Sequence, residues 1–151
     1  VAGTPLAQLE LLVFGQSKPT EQGKLGFPIH YIGKLQDNIS LRLLYAAADV
    51  MVVPSRQEAF GQTASEAHAC GTPVVAFRTG GLVDIIDQGV TGALAEPFDP
   101  SSLAQSMRWV LEDTQRLRWL GEAARSRAEQ LWNPQKICRM YYELYLELSR
   151  S

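Results

Sequence analysis

Short apolar runs rich in β-branched residues alternate along this chain with stretches whose apolar residues recur every three or four positions. The runs fall at residues 9–14, 29–32, 50–53, 74–77 and 92–95, each bounded by glycine, proline or a charge. That pattern predicts strands. None alternates cleanly with polar residues, so both strand faces are expected to be covered, as in a parallel sheet between helices. Ser40 reads as the cap of a helix reaching about residue 48, with Leu41, Leu44 and Tyr45 on one face. A second helix, 62–69, stops at Gly71 with Pro73 two residues on, a common stop signal. A third covers 82–87 and ends at Gly89. Asp99-Pro100 and Asn133-Pro134 each place a cap before a first-turn proline. The helices they open stripe with Leu103, Met107, Val110 and Leu111, and with Ile137, Tyr141, Leu144 and Leu148. Between them, 115–130 stripes with Leu117, Leu120, Ala124 and Leu131. The expectation is one α/β domain with a helical tail.

The length, 151 residues, fits a single domain, and a chain of this size buries roughly two-thirds of its unfolded surface. A net charge of −2 leaves no electrostatic footprint for nucleic acid or an anionic membrane. Cys70 and Cys138 match no metal-ligand spacing and lie in helical segments, so they read as buried, reduced thiols rather than a disulfide. No apolar run approaches the ~18 residues of a membrane span, and no signal peptide opens the chain. A cytoplasmic, soluble protein is expected. Val1 begins only a few residues ahead of a strand, as a piece of a longer protein would. Residues 16–26, with Pro19, Gly23 and Gly26, read as a mobile surface loop.

Chemistry is expected where a strand end leads into a helix, because open parallel sheets bind ligands at the carboxyl ends of their strands. Residues 54–63, PSRQEAFGQT, occupy such a place. The free amides at the helix start, near Phe60 to Thr63, suit phosphate or sugar oxygens. Gly61 permits close approach of a ligand to the backbone. Glu58 precedes the helix and Glu66 lies one turn inside it, so the two carboxylates can flank one extended ligand. Ionised carboxylates accept hydrogen bonds from vicinal hydroxyls of sugars and riboses. Two capping boxes compete with this reading, Thr63-x-x-Glu66 and Ser55-x-x-Glu58. The spacing leaves both readings open.

The run PSRQEAFGQTASEAHACGTPVVAF resembles the donor-site signature of the glycogen-synthase-like retaining glycosyltransferases (group 1), which pair two Rossmann-like domains across a cleft in the GT-B architecture. YIGKL at 31–35, LYAAADVMVVPS at 44–55, TGGLVDIIDQGVTG at 79–92 and RLRWLGEAARSRAEQLWNP at 116–134 extend the resemblance, in order, over most of the chain. It implies a Rossmann-like parallel sheet flanked by helices. Residues 1–151 would be the nucleotide-sugar donor-binding domain, truncated at its N-terminus and lacking the acceptor domain. Glu58 would bind donor-sugar hydroxyls near the anomeric carbon as the catalytic-site acid, and Glu66 would hold the ribose hydroxyls. The amides of Phe60, Gly61 and Gln62 would contact the sugar, and that of Thr63 the distal phosphate. Lys34 and Leu35 would lie near the base, Gly15 would line the diphosphate cleft, and Thr79, Gly80 and Gly81 would flank the site. The implied donor is a nucleoside-diphosphate sugar, the acceptor a sugar or lipid, with no cofactor and no metal. Any membrane association would be peripheral and through the missing part.

Some features depart from the family. Its Arg and Lys pair lies one strand earlier than this chain begins, Ser17 stands where a second glycine is common, and Gln62 and Thr63 replace an aliphatic pair. Three rivals carry different expectations: a related epimerase or phosphorylase half, a nucleotide-binding module inactive on its own, and an unrelated response-regulator-like interaction domain. His30 and His68 read as surface or core histidines, and Arg78 as either a surface arginine or a phosphate neighbour. Trp132, Tyr141, Tyr142 and Tyr145 read as packing residues, a tail helix crossing onto the missing domain being the family alternative. The charges of 118–127 read as a solvated helix face.

Overall fold

The computed structural model describes residues 9–19 and 26–150; part of the expected 16–26 loop, residues 20–25, lies outside them. Five strands and six helices follow in the order β1 (Leu11–Phe14), β2 (Ile29–Gly33), α1 (Asn38–Ala47), β3 (Met51–Val53), α2 (Gln62–Ala69), β4 (Val74–Phe77), α3 (Leu82–Ile85), β5 (Gly92–Ala95), α4 (Pro100–Leu111), α5 (Thr114–Leu131) and α6 (Pro134–Leu148). All strand pairs are parallel. They form two hydrogen-bonded sheets, β1-β2 and β3-β4-β5.

The three-stranded sheet is the centre of the molecule, and every residue of β4 and β5 is buried. Successive strand residues point to opposite faces, and β4 supplies both layers of the core. Val74 and Ala76 join Tyr45, Ala64, Ala67, Leu82, Ile85 and Ile86 on the side of α1, α2 and α3. Val75 joins Ala93, Val110 and Leu120 on the side of α4 and α5. Each fully buried valine or leucine contributes ~1.5–3 kcal/mol. The expectation of two covered faces holds here and fails in β2, which alternates half-buried and exposed residues and leaves Ile32 42% exposed. The reason is packing: β1 and β2 lie chiefly against each other rather than between helix layers.

Helix ends follow local chemistry. Asp99, Asp113 and Asn133 each accept backbone amides at the starts of α4, α5 and α6. At α1 the cap is Asp37, which accepts from the Ser40 amide at 2.8 Å, so Ser40 receives the cap that it was expected to provide. Helix α3 is a single turn, two residues shorter than predicted, because Ile86 turns extended and the Asp87 amide donates to the Thr91 hydroxyl.

Three further corrections follow. Arg127 is not simply part of a solvated face: its guanidinium donates to the carbonyls of Ile85 at 3.0 Å and Asp84 at 2.8 Å, closing the end of α3. Helix α6 buries none of its residues, so Tyr141, Tyr142 and Tyr145 are exposed rather than packed. Cys138, on the same helix, is exposed, and Cys70 is half-buried; both are free thiols. Among the described residues no helix is long and apolar enough to cross a membrane.

Candidate functional site

After β3 the chain runs without regular structure through residues 54–61 before α2 begins. Gly61 is the N-cap of α2 and stands at φ 93°, ψ 48°, a left-handed conformation that favours glycine. A side chain there would meet Leu82 Cδ2 at 2.9 Å and Ile85 Cδ1 at 3.0 Å. No side chain caps this helix. The amides of Ala64 and Ser65 both donate to the Gly61 carbonyl. Those of Phe60, Gly61, Gln62 and Thr63 find no acceptor among the described residues. Four free donors and the positive end of the helix dipole thus share one mouth, which favours an anion.

The turn after β4 presses on this loop. The Gly81 amide donates to the Glu58 carbonyl at 3.0 Å, and the Thr79 hydroxyl to the Ser55 carbonyl at 3.3 Å. A Cβ on Gly80 would collide with the Glu58 carbonyl oxygen, and one on Gly81 would stand 2.6 Å from the carbonyl oxygens of Ala59 and Phe60. The glycine pair lets one strand-end loop lie backbone to backbone on the other.

Neither capping box forms. Thr63 lies inside α2 and Ser55-x-x-Glu58 spans irregular loop, so no helix starts where either box needs one. Glu66 is held differently. One carboxylate oxygen accepts from the Tyr45 hydroxyl at 2.9 Å and the other from Gln62 Nε2 at 3.0 Å. Burial, reinforced by the hydrogen bond to Glu66, holds the Tyr45 hydroxyl protonated well above the usual phenol range. An ionised carboxylate offers about four acceptor positions, so roughly two remain for a ligand. Glu58 is half-buried, and its carboxylate meets no donor among the described residues.

The remaining predicted residues lie at the ends of β1 and β2. The Gly15 amide donates to the Gly33 carbonyl at 2.8 Å; Lys34, exposed, and Leu35, half-buried, follow. The Phe14 ring meets the Tyr45 ring edge-on at 5.7 Å, which links this corner to Glu66 through Tyr45. The structure therefore interlocks Glu58, residues 60–63 and residues 79–81, sets Glu66 one turn into the same helix, and links Gly15 to Glu66 through Phe14 and Tyr45; among the described residues it shows no contact that brings Lys34 or Leu35 to them. Arg78 is exposed at the end of β4. His30 is exposed and pairs with Glu10 at 3.0 Å. His68 is fully buried, and burial lowers it to about 4, the Thr91 backbone opposing and Arg127 adding a smaller push in the same direction as burial.

Comparison with known proteins supplies a family for this arrangement. The model of the family "Glycosyl transferases group 1" matches residues 8–127. The chain belongs to the group 1 glycosyl transferases. It is 46% identical over 107 residues to the D-inositol 3-phosphate glycosyltransferase of Corynebacterium jeikeium, covering 70% of this chain and 25% of that relative. Among solved structures, sucrose-phosphate synthase from Thermosynechococcus elongatus superposes with a TM-score of 0.79 at 33% identity, over 93% of this chain and 38% of the other. Anabaena HepE in complex with UDP-glucose superposes at 0.72 and 29% identity, over 79% and 32%. The GT-B likeness fits the parallel α/β architecture, and the chain spans about a quarter of the length of that curated relative. Family membership sets aside the unrelated interaction domain.

The sequence pointed to the loop, the glycines and both acids of this candidate site, and did not show which residue holds Glu66. Tyr45 holds Glu66 from 21 residues away. A tyrosine on an apolar helix face does need a partner for its hydroxyl, but nothing local named which. Trp132 read as a packing residue and does pack against the core, its ring also reaching Phe60 at 6.3 Å.

Proposed function

We propose that this chain is the donor-binding half of a retaining glycosyltransferase that uses a nucleoside-diphosphate sugar. The observation that carries the reading is the mouth of α2, where four free amides open between the Glu58 loop and the oriented Glu66 carboxylate. The diphosphate would lie on the amides of residues 60–63 and against Thr79, Gly80 and Gly81. Ribose hydroxyls would donate to the open positions of Glu66, sugar hydroxyls to Glu58. Gly15 would line the diphosphate cleft, with Lys34 and Leu35 beside the base. Backbone amides rather than a divalent ion would meet the diphosphate charge.

Retention requires the new bond to form on the face from which the diphosphate departs. Positioning, and stabilisation of charge on that leaving group, would supply most of the rate. The leaving phosphate would take the acceptor proton while Glu58 orients the sugar. The acceptor, a sugar or lipid, would be held by chain outside these 151 residues, so this chain alone would bind without turnover. UDP is the first nucleotide to test, because the similar HepE holds UDP-glucose.

Calorimetric titration with UDP, ADP, GDP and their glucose conjugates, with and without EDTA, tests the reading. One diphosphate nucleotide should bind, equally in EDTA. Glu66→Ala should weaken it at least tenfold, as expected for a lost charged hydrogen bond of ~1.5–3 kcal/mol. Unchanged affinity in that variant would remove the ribose role from Glu66.

A further inference from the structure

Residues 54–61 carry the site yet belong to no helix or strand, so their shape depends on a few tethers. Three are the bonds from Thr79 to Ser55 and from Gly81 to Glu58 and the Arg56 guanidinium over the Phe98 ring at 5.5 Å, all in the start and middle of the loop. Another lies at its far end. The Phe60 side chain is 51% exposed, and its ring meets the edge of Trp132 at 6.3 Å with the planes at 86°. Trp132 ends α5, donates its amide to the Ala128 carbonyl at 2.9 Å, and packs on the core beneath α2. Its other neighbour is His68, stacked at 6.5 Å with the planes at 29°. His68 is fully buried, and neither ring nitrogen makes a well-formed hydrogen bond among the described residues, the Thr91 backbone being the polar group that acts on it. It therefore meets Trp132 as a flat face rather than through polar bonds. Phe60, Trp132 and His68 form a column of rings that runs from the mouth of α2 to its last turn.

We propose that Trp132 is a positioning residue for the donor site: it fixes the Phe60 ring, and through it the amides of residues 60–63, without touching the ligand. The claim rests on the donor-site reading above. Phe60 is the last residue before the left-handed Gly61, so its ring is anchored on the backbone that presents the free donors. Asn133, next to Trp132, caps α6 by accepting the amides of Gln135 and Lys136. The position of α6 is thereby tied to the site loop through one residue.

The test uses the whole chain and UDP, or whichever diphosphate nucleotide the panel selects. Trp132→Ala should weaken binding about three- to tenfold, the range of an aromatic pair. Trp132→Phe, which keeps a ring, should recover most of it, and Trp119→Phe, exposed and remote, should bind like the parent. In a Trp109→Phe/Trp119→Phe background the remaining Trp132 emission should change on nucleotide addition, a response that a purely structural residue would not give. Thermal melts separate the effects: if Trp132→Ala does not fold, Trp132→Phe and the emission decide. Parental affinity in a folded Trp132→Ala, or an emission that ignores bound nucleotide, overturns the proposal and leaves the donor site standing. Failure of the parent to bind any nucleotide removes both.

Discussion

Strand β4 and helix α6 are both written in apolar residues, and the molecule treats them in opposite ways. All four residues of β4 are buried, divided between two core layers. Helix α6 carries Ile137, Met140, Tyr141, Leu144, Tyr145 and Leu148 and buries none of them. The contrast extends to what each region supports. Around β4 the loops meet backbone to backbone, with glycines where side chains would collide, and the candidate site stands there. Around α6 the fastenings are local, such as the Asn133 cap and the Lys136 ammonium on the Gln130 carbonyl at 2.7 Å. An apolar stripe shows that a segment can be buried; the contacts around it decide whether it is.

The contrast can be broken most severely at Gly80. Gly80→Ala places a methyl group against the Glu58 carbonyl, and φ of 49° strains the new residue as well. It should cost about 3 kcal/mol, seen as a much lower melting temperature, and abolish nucleotide binding. A Gly80→Ala protein that melts and binds like the parent would show that the two loops are not interlocked.

Acid attacks the same region from inside. His68 is ordinarily near 6.5 and falls to about 4 in the folded chain, so between those values the unfolded state binds the extra proton. Its contribution is complete above pH 6.5, declines as pH falls, and is gone near pH 4, on the order of 3 kcal/mol at most. Urea denaturation at pH 7 and 4.5 should show that loss in the parent. His68→Leu should flatten it, whereas an equal pH slope in both proteins would acquit the histidine.

Smaller effects separate orientation from bulk. Tyr45→Phe keeps the ring against Phe14 and deletes the hydroxyl that holds Glu66. It should lower stability by about 1 kcal/mol and weaken nucleotide binding severalfold. A loss of stability with no loss of affinity would make Tyr45 a core residue only. Smallest of all, Tyr145→Ser on α6, where the side chain is 65% exposed, should change stability by less than about 0.5 kcal/mol. A larger loss in chemical denaturation would mean that α6 is packed after all.

Much of this is legible in the sequence itself. The strand at 74–77 and the helix at 62–69 matched residue for residue, because glycine, proline and a run of branched apolar residues punctuate them. Asp99-Pro100 and Asn133-Pro134 opened helices as written, since a cap and a first-turn proline act within a few residues. Glu58, Gly61, Gly80 and Gly81 stood out through the motif that contains them. Where two local signals competed, the spacing left both open: Thr63-x-x-Glu66 has the form of a capping box, and the structure starts the helix at Gln62 and turns the acid to Tyr45.

What the sequence alone determined is the set of properties that reside in neighbouring residues: which segments are strands and helices, where most of them stop, and which loop is able to hold an anion. The tertiary structure decided the rest. It split the strands into two sheets, left α6 uncovered, turned Arg127 onto α3, and brought Tyr45 to Glu66 and Trp132 to Phe60. Those outcomes depend on contacts between residues from 18 to 72 positions apart, and short-range periodicity carries no information about partners at such separations.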